Sequence, residues 1–132
     1  MTASPAPGFE LPDLGRRLAD MDAEALDRLA FGVIGFGKEP EAIVVRYNAC
    51  ERRGSGLDPE RVLGLPLFSV VAQCMNNYLV AQRFDDAVEA GQTLDSTLAF
   101  TFTLRMKPMP VVLRLLSSPE HQLQFVAVRR NP

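Results

Sequence analysis

The chemistry open to this chain rests on few side chains. The sequence holds two cysteines, Cys50 and Cys74, one histidine, His121, two tyrosines, Tyr47 and Tyr78, and no tryptophan. Two cysteines do not make a disulfide framework, and they read as free thiols of a reducing compartment. One histidine and two separated cysteines fall short of a zinc site, which takes four ligands. A thiol enzyme built on Cys74 needs a base beside the sulfur. His121 falls in a turn or strand start late in the chain, so no Cys–His partnership follows from the sequence, and the chain is not expected to be an enzyme. Any visible colour would have to come from a bound chromophore.

The elements that position these groups belong to a chain of 132 residues, about one domain with one real core. An apolar share of 47% and a charged share of 23% suit an ordinary globular protein. The net charge of −2 comes with no basic stripe, which argues against a nucleic-acid partner. The arginine pairs Arg16–Arg17, Arg52–Arg53 and Arg129–Arg130 read as solvated surface. The first eleven residues lack a basic region followed by an apolar run, and no stretch approaches the ~20 apolar residues that span a bilayer. A cytoplasmic protein with no membrane partner is expected.

Along the chain, Pro5, Pro7 and Pro12 mark an irregular or mobile arm. Leu14 to Phe31 carries helical spacing, and two short helices are expected, broken near Asp20–Asp22, with Asp22 as an N-cap. Gly32 to Gly37 and Ala42 to Tyr47 read as a hairpin of two strands. The pattern breaks at Asn48. Asp58, Pro59 and Gly64 punctuate a compact helix, and Phe68 to Cys74 reads as another short one. Asn77 to Ala90 is the longest helical pattern, with Val80, Ala81, Phe84, Ala87 and Val88 on one face and Gly91 ending it. Leu98, Phe100, Phe102, Leu104 and Met106 alternate with polar or small residues, as in a half-buried antiparallel strand. Val111 to Leu116 and Gln122 to Arg129 supply two more strands. The class is α+β: a five-stranded antiparallel sheet, a helical insert between strands 2 and 3, and an N-terminal helical cap. This order matches the PAS fold. The chain divides into an arm, 1–13, and one PAS-like domain, 14–131, made of the cap, 14–31, and the core, 32–131.

Specific residues narrow the choice. Met21-Asp22 and Leu29-Ala30-Phe31-Gly32 are followed by Tyr47-Asn48-Ala49-Cys50-Glu51. Gly56, Asp58, Pro59, Val62 and Gly64 come next, then Phe68, and then Val71-Ala72 and Cys74. Phe84, Val88, Gly91, Thr101-Phe102, Met106 and Pro108 keep the register. From about Leu18 to Arg130 this series resembles the photoactive yellow protein family. Tyr, Glu and Cys all stand at the family's spacing.

The resemblance implies a blue-light sensory photoreceptor with p-coumaric acid (4-hydroxycinnamic acid) joined to Cys74 by a thioester. A thiolate is the nucleophile that accepts an activated acyl group. An ionised phenol held in a low-dielectric pocket needs strong donors. Tyr47 matches the family's hydroxyl donor and Glu51 its protonated carboxyl, kept neutral by burial away from cations. Ser55 stands where the family has a threonine and is expected to hydrogen-bond Tyr47. Phe102 and Met106 keep the family's types. After isomerisation, the family's glutamic acid gives its proton to the phenolate and leaves an unpaired buried charge, which loosens the N-terminal segment. Here residues 1 to about 30 would move. The signal would pass to a separate downstream protein from a monomer or weak dimer.

The departures are Leu57, where the best-studied members have an arginine over the chromophore, and Gln73, where the family has a proline. Alone, each site residue has an ordinary reading: Cys74 a structural thiol, Tyr47 a strand-end aromatic, Glu51 a loop acid, Phe102 and Met106 core. Cys50 reads as a small core or loop residue. Leu57 and the altered surroundings of Cys74 also motivate an alternative, a repurposed PAS-like protein that binds a small molecule or acyl thioester without a photocycle.

Overall fold

The computed structural model describes residues 7–103 and 107–130. Leu104 and Met106, assigned above to a strand and a site, lie outside them, as do the proposed boundary residue 131 and the first six residues of the arm. Five strands, β1 (Gly32–Phe36), β2 (Val44–Tyr47), β3 (Leu94–Phe102), β4 (Met109–Ser117) and β5 (Gln124–Arg130), pair antiparallel in the order β2-β1-β5-β4-β3. Two short helices, α1 (Leu14–Ala19) and α2 (Ala23–Leu26), precede the sheet. The insert between β2 and β3 contains α3 (Ala49–Ser55), α4 (Pro59–Val62), a π-helical turn over Leu67–Val71, a 3-10 turn over Gln73–Met75, and α5 (Ala81–Ala90). The α+β class and the five-stranded sheet are those expected from the sequence.

The sheet separates two cores because side chains alternate across a strand. Ile34, Phe36, Leu113, Leu115, Val126 and Val128 face the insert and pack with Val44, Met75 and Phe84. Val33, Leu116, Phe125 and Ala127 face the other way and bury Leu14, Leu18, Leu26 and Leu29 of the cap. β5 lies at the centre, covered on both faces, so Gln124 to Val128 are all buried. The edge strand β3 keeps the alternation read from its sequence: Leu94, Ser96, Leu98 and Phe100 are half-buried and the residues between them exposed.

Local chemistry sets most boundaries. Asp22 accepts the Ala25 N–H at 2.8 Å and starts α2 as expected. Gly91, at φ 65°, closes α5 in the left-handed region. The longest helix begins at Ala81 because Asn77 folds back on its own loop, accepting from Leu79 N and donating to the Cys74 carbonyl. Val88, expected on the buried face, is 41% exposed, since Val80, Phe84 and Ala87 set that face. The helix α3 stands where the sequence showed only a broken strand pattern.

The described part of the arm, residues 7–13, is irregular but seated. Phe9 meets Phe31 edge-on at 5.6 Å between ring centroids. Arg114 reaches from the cap face of β4 to the carbonyls of Phe9 (2.9 Å) and Leu11 (2.7 Å), and its other side forks onto Asp95 of β3 with two bonds of 2.8 Å.

Candidate functional site

The site is organised by Asn48, which is 2% exposed. Its Oδ1 accepts the N–H of Glu51 at 3.0 Å, capping α3, and the N–H of Val33 at 2.9 Å. Its Nδ2 donates to the carbonyls of Leu26 (2.9 Å) and Phe31 (3.0 Å). One side chain therefore fastens α3 to β1 and to the end of the cap. The first turn of α3 then sends Glu51 inward, across Gly32. A Cβ at Gly32 would collide with Glu51 Oε1, so the glycine is what allows the carboxylate to lie against the strand.

Glu51 does not lie away from cations, and that expectation is corrected here. Arg130, the last described residue of β5, donates Nη1 to Oε1 at 2.6 Å and Nη2 to Oε2 at 3.0 Å. The Glu51 side chain is 3% exposed and that of Arg130 19%. Burial pushes the carboxyl above its usual value, and the guanidinium pulls against that. For Arg130, burial works to lower the value and the facing carboxylate overcomes it, so the guanidinium stays charged. The two-pronged geometry is one that an ionised carboxylate accepts.

Arg130 also contradicts its reading as solvated surface. It continues the series Val126 and Val128, which faces the insert, whereas Arg129 faces the cap and sits 4.9 Å over the Phe9 ring. Its guanidinium lies 5.7 Å over the Phe102 ring, with Nε 3.2 Å from Met109 Sδ. Strand alternation was the signal that could have found it. For the other pairs, Arg16 and Arg52 are exposed and hold Asp13 and Asp58.

Tyr47 ends β2, and its hydroxyl shares a 2.6 Å hydrogen bond with Ser55 Oγ, as expected. Ser55 Oγ also accepts the Leu57 N–H at 3.1 Å. Burial first, then the Glu51 charge, pushes the Tyr47 phenol up to about 12, while Ser55 and Arg130 draw it down. Tyr47 thus keeps its proton and remains able to donate.

A cavity of about 910 Å³ opens between the insert and the ends of β3, β4 and β5. Cys74, in the 3-10 turn, lies on its wall with Ser55, Leu57, Phe102 and Arg130. Tyr47 and Glu51 stand one layer behind, and their partners Ser55 and Arg130 present the polar atoms. Arg53, Arg61 and Lys107 add cations to the rim, and the described lining contains no acid. Cys50 is half-buried on α3. Met106 lies outside the described residues. Among the described residues no group of three His, Cys, Asp or Glu could hold a metal ion, and no helix is long and apolar enough to cross a membrane.

Known proteins resemble most of the length of this chain. Photoactive yellow protein of Halochromatium salexigens is 30% identical over 122 residues, covering 92% of this chain and 95% of its own length. Its counterpart from Rhodothalassium salexigens is 27% identical over the same span. The crystal structure of the photoactive yellow protein domain from a sensor histidine kinase of Rhodospirillum centenum superposes with a TM-score of 0.75 at 34% identity, covering 83% of this chain and 94% of that one. The PAS domain of an HTR-like protein from Haloarcula marismortui, at 13% identity and a TM-score of 0.56 over 92% of this chain and 100% of its own, shares the fold alone. No protein-family model matches the sequence. The relatives and the PAS topology converge: the chain belongs to the photoactive yellow protein family of PAS-type photoreceptors.

Proposed function

We propose that this protein is a blue-light sensor carrying p-coumaric acid as a thioester on Cys74. The observation that carries the reading is that Cys74 shares one cavity with Ser55, Phe102 and Arg130, directly in front of the buried pairs Tyr47–Ser55 and Glu51–Arg130. The residues fit such a group. A thiol offers the attachment point, Leu57, Val70, Val71 and Phe102 offer apolar walls, and the polar groups converge from one side. The bound group supplies absorption of blue light and isomerisation about its double bond. The chain supplies the rest. Tyr47 holds a proton that it can share, Phe102 excludes water, and Glu51 is the proton donor of the signalling step. A proton on Glu51 requires the Arg130 fork to open, because a carboxylic acid accepts one such pair of N–H bonds poorly. When Glu51 then ionises without that partner, a buried charge destabilises α3, and Asn48 passes the strain to the cap through Leu26 and Phe31. The response would reach a signalling partner. A domain of this family within a sensor histidine kinase supports that direction.

Mixing the purified protein with activated p-coumaric acid should give one adduct by mass, absent in Cys74→Ala, and a visible band that blue light bleaches. An adduct that ignores light would favour the alternative, a repurposed small-molecule or acyl-thioester binder. Leu57 and the cavity volume, near the top of the roughly 300–1,000 Å³ range for small-molecule sites, are the observations that favour that second reading.

A further inference from the structure

We propose that Arg130 is the anion-binding cation of this cavity, trading its two donors between Glu51 and the ionised oxygen of an aromatic ligand. The inference rests on the reading above for the ligand's identity but stands on its own geometry. Leu57 offers no charge, so the cavity's cation must come from elsewhere. Of the lining cations, Arg53 and Arg61 rise from α3 and α4 and Lys107 from the segment before β4. Among the described lining cations, Arg130 is the one anchored inside: it lies over Phe102, touches Met109, and is paired with a carboxylate that is itself 3% exposed.

The backbone makes room for this position. A Cβ at Gly54 would collide with the Arg130 guanidinium, just as one at Gly32 would collide with Glu51 Oε1. Both members of the pair are therefore seated against glycines, on α3 and on β1. Among the described residues, three of the five N–H groups of Arg130 are engaged, two by Glu51 and one by the weak acceptor Met109 Sδ. The other titratable groups around the pair are Tyr47 on β2 and Cys50 on α3, with Arg53 and Arg61 beyond.

A second anion at this place cannot share one cation with Glu51 without cost, because two like charges in a low-dielectric site repel. The exchange balances if Glu51 takes one proton from solvent as the ligand oxygen takes over the Arg130 donors. No bond to carbon forms or breaks. Anion binding and protonation of Glu51 become one linked event.

The test uses two probes on the full chain. Free p-coumarate, titrated into wild type at neutral pH, should raise an infrared band of a protonated carboxyl that is missing in Glu51→Gln. Its affinity should fall at least tenfold in Arg130→Gln, recover largely in Arg130→Lys, and stay unchanged in Arg129→Gln. In protein loaded through Cys74, Arg130→Gln should raise the pH at which the ligand's phenol ionises by at least one unit. If no thioester forms, the Cys74 reading falls while the free-anion titration still decides for or against Arg130. Equal affinity for the free anion in wild type and Arg130→Gln, both shown folded by circular dichroism, overturns the proposal. So does binding with no carboxyl band.

Discussion

Two arginine–carboxylate forks lie on opposite faces of one sheet, and they are built in opposite senses. On the cap face, the Arg114 side chain is 7% exposed and its partner Asp95 41%. On the insert face, Glu51 is 3% exposed and its partner Arg130 19%. Arg114 donates to Asp95 through Nε and Nη2, to the Phe9 and Leu11 carbonyls through Nη1, and to the Pro12 carbonyl through Nη2. All five N–H groups are committed, so this fork is a fixture that fastens the arm. Arg130 faces a cavity with donors that a ligand can claim, and the anion behind it is the buried member. A buried cation with an exposed anion holds structure. A buried anion with a cavity-facing cation stores a charge that can be exposed by taking the cation away.

The largest effect should come from Arg130→Met. Removing one partner of a buried pair costs about 3–5 kcal/mol, and here Glu51 is left without its cation. The sign with pH follows. Glu51 in the folded protein lies above its ordinary value of 4.5, so the stability linked to it is present below that pH and is lost as pH rises through the folded value. Arg130→Met removes the group that pulls the value down and should steepen the loss. Urea unfolding at pH 5 and pH 8 should show the variant far weaker at pH 8, and equal penalties at both would mean Glu51 is not the source.

Arg114→Met should cost less, about 1–3 kcal/mol, because the arm carbonyls lose donors but can reach water once the arm lifts. Hydrogen exchange should rise over residues 7–13 while the Glu51 region keeps its protection. If the insert loosens instead, the two faces are not independent. Tyr47→Phe removes the bond to Ser55, worth about 0.5–1.5 kcal/mol. It should also abolish a phenolate absorbance step at about pH 12. Since the folded value exceeds the unfolded one, wild type loses Tyr47-linked stability as pH climbs towards 12, and the variant should not. Asp95→Asn should cost the least, no more than about 1 kcal/mol, as is usual when the anion is substantially exposed.

Much of this layout was legible in the residues. Alternation from Leu98 onward gave a half-buried antiparallel strand, which the structure starts earlier, at Leu94, Asp22 and Gly91 gave helix ends, and the family resemblance paired Tyr47 with Ser55. The helix α3 was missed although Asn48 and Glu51 carry the spacing of an N-cap and its third residue. The strand's end drew attention from the helix's start. Arg130 was missed for a different reason. Its partner is remote in sequence, and a doubled arginine resembles solvated surface unless the strand's parity is counted. Arg114 stood inside the apolar run Val111 to Leu116, where a lone charge signals a buried partner, yet nothing local names Asp95 or the arm carbonyls. Short-range patterns set elements and caps, and the chemistry of both forks depends on pairings made only by the sheet.

The strand order has a consequence for how the molecule comes into being. β1–β2 and β3–β4 are hairpins that can close locally, but they meet only through β5, which pairs Gly32 with Val128 and Leu113 with that same Val128. Distant pairings close slowly, because the loop entropy must be overcome before the contacts reward it. A growing chain that has been made as far as Ser117 already holds Asp95 and Arg114 on adjacent strands. It holds no partner for Glu51 until residues 124–130 arrive. The Asp95–Arg114 fork can therefore form early and the Glu51–Arg130 pair last, and the arm finds its whole seat, with Arg129 over Phe9 and Phe125 beneath the cap, only once β5 is in place.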